Sequence, residues 1–295
     1  MIYSFMSGKR EQDLYVRHFG ASVGAKLVWT KHFFTKTQGN SQVPSSIRKR
    51  PLPQNVTGII FAGMLRGNAH LFQLAKQHNI DFYYIDHAYF NSGYKNPHWM
   101  RIIKNGFAQN AIISQRDNNR YKSNFNTDFK DYSFKDKKNI VVLPPSDVVS
   151  KVFDKGAWEE DVIATLRKHT DRPIVIRKKV GTNIDKLLYN PTKQKNKIVY
   201  ATSLEEELEN AYCVVAFNSS AALDALRLGI PVICDKFCPA YPLSHSLSQI
   251  ENLQEKSRKQ LFNSLACGQF TLEEARNIKT FNYINTIRQW SGKFP

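Results

Sequence analysis

Short apolar runs recur along the chain and alternate with amphipathic stretches, a rhythm that predicts strands joined by helical crossovers. Ile2 to Phe5, Lys26 to Trp29, Thr57 to Phe61, Phe82 to Ile85 and Ala111 to Ser114 read as strands, with a helix over Arg66 to His78. Most connections are long enough for crossovers, so a mainly parallel sheet is expected in the first part of the chain. Asn118 to Lys138 shows no clear period and reads as a polar excursion rather than a core element. A second series follows: strand Asn139 to Leu143, helix Trp158 to His169, strand Pro173 to Ile176, strand Lys197 to Tyr200 and short helix Leu204 to Asn210. Thr271 to Trp290 reads as one or more helices.

The clearest unit runs from Tyr212 to Asp235: a β-rich run to Phe217, a break at Asn218-Ser219-Ser220, a helix to Leu228, the turn Gly229-Ile230-Pro231 and the apolar strand Val232 to Cys234. Asn and Ser are capping residues, and a helix starting at the carboxyl end of a parallel strand aims backbone N–H groups and its positive dipole end at the ligand crevice. That turn suits phosphate. Asp224 falls four residues after Ser220 and shares a face with it, placed to accept ribose hydroxyls.

Ala221-Ala222-Leu223-Asp224-Ala225-Leu226-Arg227-Leu228-Gly229-Ile230-Pro231 resembles the donor-nucleotide segment of GT-B glycosyltransferases. The resemblance implies two Rossmann-like αβα domains facing across a cleft, the helix start holding a donor diphosphate and the acid holding ribose, with no metal. The acid here is Asp rather than the usual Glu, and the common Gly-Gly is missing, so the nucleotide stays open, with a UDP-sugar the expected co-substrate. The outline implies an acceptor domain over residues 1–143, a nucleotide-sugar domain over 144–280, and a C-terminal helix, 281–295, returning to the first domain.

In a parallel second sheet, Pro144 to Asp147, Arg177 to Lys179 and Asn218 to Ser220 converge on one edge. Ser146, Arg177, Lys178, Asn218, Ser219, Ser220 and Asp224 are therefore the candidate donor contacts, with the cations stabilising the departing phosphate. In the first domain, Asp86 and His87 close a strand at the expected mouth of the cleft. Asp86 is the first candidate for the base that deprotonates the acceptor hydroxyl and His87 the second; a cap-and-turn role is the bland alternative.

Composition narrows the partners. Forty-two Lys and Arg against 25 Asp and Glu give a net charge of +17, which points to a polyanion. Arg66, Tyr94, Lys95, His98, Trp99, Arg101 and Lys104 form the candidate acceptor surface, basic and aromatic together, and Asn118 to Lys138 carries a similar mixture. DNA with hydroxymethylated bases, as modified by phage enzymes, is the leading acceptor. The rivals are a capsule or lipopolysaccharide transferase lying peripherally on an anionic inner membrane, and a non-catalytic nucleic-acid-binding protein. The chain has no apolar run of membrane-spanning length and no secretory leader at its start, so a cytoplasmic site is expected, the host cytoplasm if viral. Its 4 cysteines read as structural thiols; Cys234 and Cys238 lack a second pair to complete a metal site.

Overall fold

The computed structural model describes residues 1–30, 34–36, 47–49, 52, 55–64, 67–92, 97–113, 117–125, 128–178, 197–199 and 203–287. It divides into two units. Unit 1 comprises Met1–Gln109, Ile113–Phe125 and the chain from Asn263 on, and unit 2 comprises Asn110–Ile112 and Asn126–Phe262.

Unit 1 begins with β1 (Ile2–Met6), α1 (Arg10–Ala21) and β2 (Lys26–Trp29), followed by a two-stranded hairpin of β3 (Phe34–Lys36) and β4 (Ile47–Lys49). It continues through β5 (Gly58–Ala62), α2 (Ala69–Gln77), β6 (Asp81–His87), β7 (Met100–Lys104) and α3 (Arg120–Phe125). Unit 2 holds β8 (Asn139–Leu143), α4 (Asp147–Phe153), α5 (Trp158–Leu166), β9 (Ile174–Arg177) and β10 (Lys197–Val199), then α6 (Leu204–Glu209), β11 (Ala211–Ala216), α7 (Ala221–Arg227) and β12 (Val232–Cys234). Helix α8 (Lys259–Cys267) carries the chain back into unit 1, which ends with β13 (Gln269–Phe270), α9 (Leu272–Ala275) and α10 (Ile278–Thr286).

The unit 1 sheet has the order β13-β7-β6-β5-β1-β2. Strands β2, β1, β5 and β6 are parallel, and β7 and β13 are added antiparallel at one edge. The unit 2 sheet, β10-β9-β8-β11-β12, is parallel throughout. Strands β5 and β11 are buried along their whole length, as strands covered on both faces must be, which explains why they read as unbroken apolar runs rather than alternating ones.

Packing explains two glycines. Gly229 sits at φ +78 just past α7, and Ile230 N donates to Ala225 O while Gly229 N donates to Leu226 O, the paired bonds that close a helix on a left-handed residue. A Cβ there would also lie 2.1 Å from Asp131 O. At Gly20 on α1 a Cβ would meet Ser4 Oγ at 2.0 Å, so this glycine lets the helix lie close on β1.

Several expectations need correction. The domain boundary does not fall after residue 143: β8 lies between β9 and β11 in the second sheet, because Ile140 to Val142 are apolar on both faces and need neighbours on both sides. Nor does the second domain run to residue 280, since β13 pairs with β7 and brings α9 with it. Helix α10 packs in unit 1, where Phe281 meets the rings of Tyr83 at 5.1 Å and Phe19 at 5.9 Å and Asn285 Oδ1 accepts from Tyr83 Oη. Trp290 lies outside the described residues. Ala111 to Ile113 forms no strand; the strand beside β6 is β7, whose Arg101 breaks its apolar pattern. Asn118 to Lys138 is no solvated excursion, because Tyr121, Phe125 and Phe134 are buried. Buried Arg120 explains the ordering there: it donates to Ala266 O, Gln269 O and Glu274 Oε2, and its guanidinium lies 5.3 Å from the Trp99 ring.

Candidate functional site

The unit 2 sheet aligns its strand ends. Leu143 pairs with Ala216 and Ala216 with Cys234, while Val142 pairs with Ile176 and Arg177 with Val199. Pro144, Lys178, Phe217 and Asp235 therefore leave the sheet at one level, and the loops they begin share its carboxyl edge. Ligands of open α/β sheets bind at this edge.

The predicted donor residues stand on these loops. Ser146 is exposed at the extended N-cap of α4, and its side chain makes no capping hydrogen bond. Arg177 and Lys178 are half-buried at the end of β9. Asn218 and Ser219 are half-buried and Ser220 exposed at the start of α7. The cap differs from the expected one: Ser220 has helical backbone angles and no side-chain cap bond, and Ser219 Oγ instead accepts from Ala221 N at 3.3 Å. Asp224 is exposed, one turn into α7.

Two further carboxylates at this edge were not foreseen. Glu159, in the first turn of α5, is buried and pairs with Lys178 at 3.0 Å. Asp235, just past β12, has a buried Oδ1 with no hydrogen-bond partner among the described residues. Burial raises its carboxyl pKa, while the Phe237 N–H and the nearby Lys155 and Lys236 ammonium groups act in the opposite direction. Phe217 is clasped by Trp158, Phe153 and Phe237, with ring centroids 5.7, 5.9 and 5.4 Å away. Asp235 was legible as the polar residue ending an apolar strand; nothing in the sequence marks Glu159.

At the carboxyl edge of the unit 1 sheet, Asp86 and Arg101 are direct antiparallel partners, so their side chains share one face. Asp86 Oδ2 accepts from Arg101 Nη2 at 2.9 Å and Tyr84 Oη at 2.8 Å, and Oδ1 accepts from the His87 N–H at 2.8 Å. Burial alone would raise the Asp86 pKa, but Arg101, His87 and these donors outweigh it and hold the carboxyl below its usual value. Arg101 itself lies between the Tyr89 and Phe107 rings, 5.5 and 5.4 Å away. The geometry makes Asp86 a counter-ion to Arg101, and a carboxylate so well stabilised attracts a proton weakly, which weighs against the role of base. His87 is half-buried beside it. Gln269 on β13 fixes the following loop, accepting from Tyr89 N and Phe90 N and donating to Phe90 O.

The described members of the predicted acceptor surface do not share one exposed face. Trp99 and Arg101, expected on an exposed acceptor surface, are buried, Arg101 within strand β7 and Trp99 just before it. Lys104 lies at the opposite end of β7, beside the start of β6, and pairs with Asp81 at 2.6 Å. His98 is exposed. Arg66, Tyr94 and Lys95 lie outside the described residues. Asp13 is taken up by the Ser7 and Gly8 N–H groups, which shape the turn after β1. Among the described residues no group of three or more His, Cys, Asp or Glu is arranged to hold a metal, and no helix is long and apolar enough to cross a membrane.

Neither a protein-family profile nor a curated sequence matches the chain. Solved structures match its fold. The beta Kdo 2,4 transferase KpsC of Thermosulfurimonas dismutans superposes with a TM-score of 0.51 at 12% identity, over 97% of both chains. The beta Kdo 2,7 transferase KpsC of the same organism gives 0.46 at 14% identity, over 79% of this chain and 86% of that one. The UDP-GlcNAc 2-epimerase of Methanocaldococcus jannaschii, solved with UDP-GlcNAc and UDP, gives 0.27 at 13% identity, over 100% and 96%. With its two Rossmann-like units the chain has a GT-B fold, as the sequence resemblance implied.

Proposed function

We propose that the chain is a glycosyltransferase that moves a sugar from a nucleotide donor to a hydroxyl of an anionic glycan, of the capsule or lipopolysaccharide kind. The observation that carries this reading is the in-register carboxyl edge of the unit 2 sheet, where Ser146, Arg177, Lys178 and Asn218 to Ser220 stand on neighbouring loops. The fold likeness to a Kdo transferase supports the class, and the net charge of +17 suits an anionic acceptor or the anionic surface that carries it.

The donor's phosphate docks at the start of α7. Arg177 and Lys178 meet the charge that grows as the sugar leaves, a stabilisation larger in the transition state than in the bound donor. Asp224 takes the ribose hydroxyls. His87 accepts the proton of the acceptor hydroxyl, and Asp86, fixed by Arg101 and Tyr84, holds the His87 backbone through its N–H. The reaction class assigns these roles to residues whose placement is compatible with them. Burial of Trp99 and Arg101 removes two of the side chains expected to contact DNA.

The test is a transfer assay with UDP-, GDP- and CMP-sugars against capsular oligosaccharide, lipid-A-core glycan and DNA bearing hydroxymethylated bases. Transfer to the anionic glycans, abolished in His87→Ala with nucleotide binding retained, is the expected result. Transfer to DNA alone would overturn the acceptor assignment, and no transfer with no nucleotide-induced thermal shift would overturn the whole reading.

A further inference from the structure

Glu159 is 8% exposed, yet it is held at the edge where the phosphate is placed. Its Oε2 lies 3.0 Å from Lys178 Nζ, and Lys178 is the residue just past β9. The neighbouring Trp158 ring packs 5.7 Å from Phe217, the residue just past β11. Strand β8 lies between those two strands, so Glu159 is pinned near the middle of the carboxyl edge. Its other oxygen, Oε1, is buried with no hydrogen-bond partner among the described residues. Most buried carboxylates are neutralised by several donors, whereas Lys178 is the ionic partner seen for this one. Glu159 is thus paired through one oxygen with Lys178 at the edge where a nucleotide's charge changes during the reaction.

Cleaving a sugar–phosphate bond moves the bonding pair onto the phosphate oxygen. The phosphate of the released nucleotide therefore carries one more negative charge than the same phosphate carries in the nucleotide sugar. We infer that Glu159 is a built-in discriminator between donor and product: its carboxylate holds Lys178 in place and repels the released nucleotide more strongly than the intact donor, which speeds product release. The inference rests on the donor-site reading of this edge. One additional charge beside a partly buried carboxylate corresponds to about a tenfold difference in affinity.

The experiment is calorimetric titration of the full chain and of Glu159→Gln with UDP against UDP-glucose, and with CMP against CMP-N-acetylneuraminate. In Glu159→Gln the released nucleotide should bind about tenfold tighter while its sugar conjugate gains little, so that the product-to-donor affinity ratio rises. Where turnover can be followed, kcat should fall with KM, as for slowed release. Glu159→Ala, read in the same way, covers a folding defect in the amide variant, and Lys178→Met should weaken both ligands. An unchanged ratio, equal tightening of both ligands or weaker product binding overturns the inference while leaving the donor-site reading intact. A full chain that binds none of the four ligands, and neither GDP nor a GDP-sugar, overturns both.

Discussion

Asp86→Asn separates a structural carboxylate from a catalytic one. The substitution keeps the volume but replaces one acceptor oxygen by an NH2 donor and removes the charge opposite Arg101. Asp86 accepts from Arg101 Nη2, Tyr84 Oη and His87 N, so in either orientation of the amide at least one of these donors faces another donor. A lost hydrogen bond to a charged group costs about 1.5–3 kcal/mol, and breaking a buried ion pair by removing one member costs about 3–5 kcal/mol. The Asp86 side chain is 18% exposed and that of Arg101 9%, so solvent relieves little of this. The terms overlap, and the expected loss is about 3–4 kcal/mol. Equilibrium urea denaturation at neutral pH reads it. The pH dependence has a definite sign: with its folded pKa depressed, Asp86 contributes stability above its unfolded pKa, about 3.9. That contribution is lost as pH falls through the folded value, so the gap between wild type and Asp86→Asn should narrow in acid. A variant of wild-type stability whose turnover has collapsed would refute the counter-ion assignment and return Asp86 to the role of base.

Arg120→Met should destabilise unit 1 by about 3–5 kcal/mol, since it strands the carbonyls of Ala266 and Gln269 and the Glu274 carboxylate; a change under about 1 kcal/mol in urea denaturation would contradict this. Gly229→Ala should lower unit 2 stability by more than the roughly 1 kcal/mol expected of strain at positive φ alone, because the new methyl meets Asp131 O; thermal unfolding checks it. The buried cysteines Cys213, Cys234, Cys238 and Cys267 should react with a thiol reagent only on unfolding, and burial pushes the thiols of Cys213 and Cys234 far above their usual pKa; rapid labelling of native protein would contradict their placement.

The unit from Tyr212 to Asp235 shows how far sequence reaches. Its strand, helix and second strand were legible because β11 and β12 are buried on both faces and Gly229 must take a left-handed turn, which are local demands written into residue type. The alternating α/β series, and with it the fold class, follow from the same periodicities. Partners distant in the chain were not legible. Arg101 and Trp99 looked like a basic-aromatic surface until antiparallel pairing with β6 and packing against Arg120 turned them inward. Asp86 looked like a free base until Arg101 lay opposite it. Glu159 and Gln269 gained their roles from residues just past β9 and in the loop after β6. Periodicity records whether a position faces solvent or core, a property of the residue and its near neighbours. Charge pairing and the alignment of strand ends depend on sheet order, and only the tertiary structure brings those segments together.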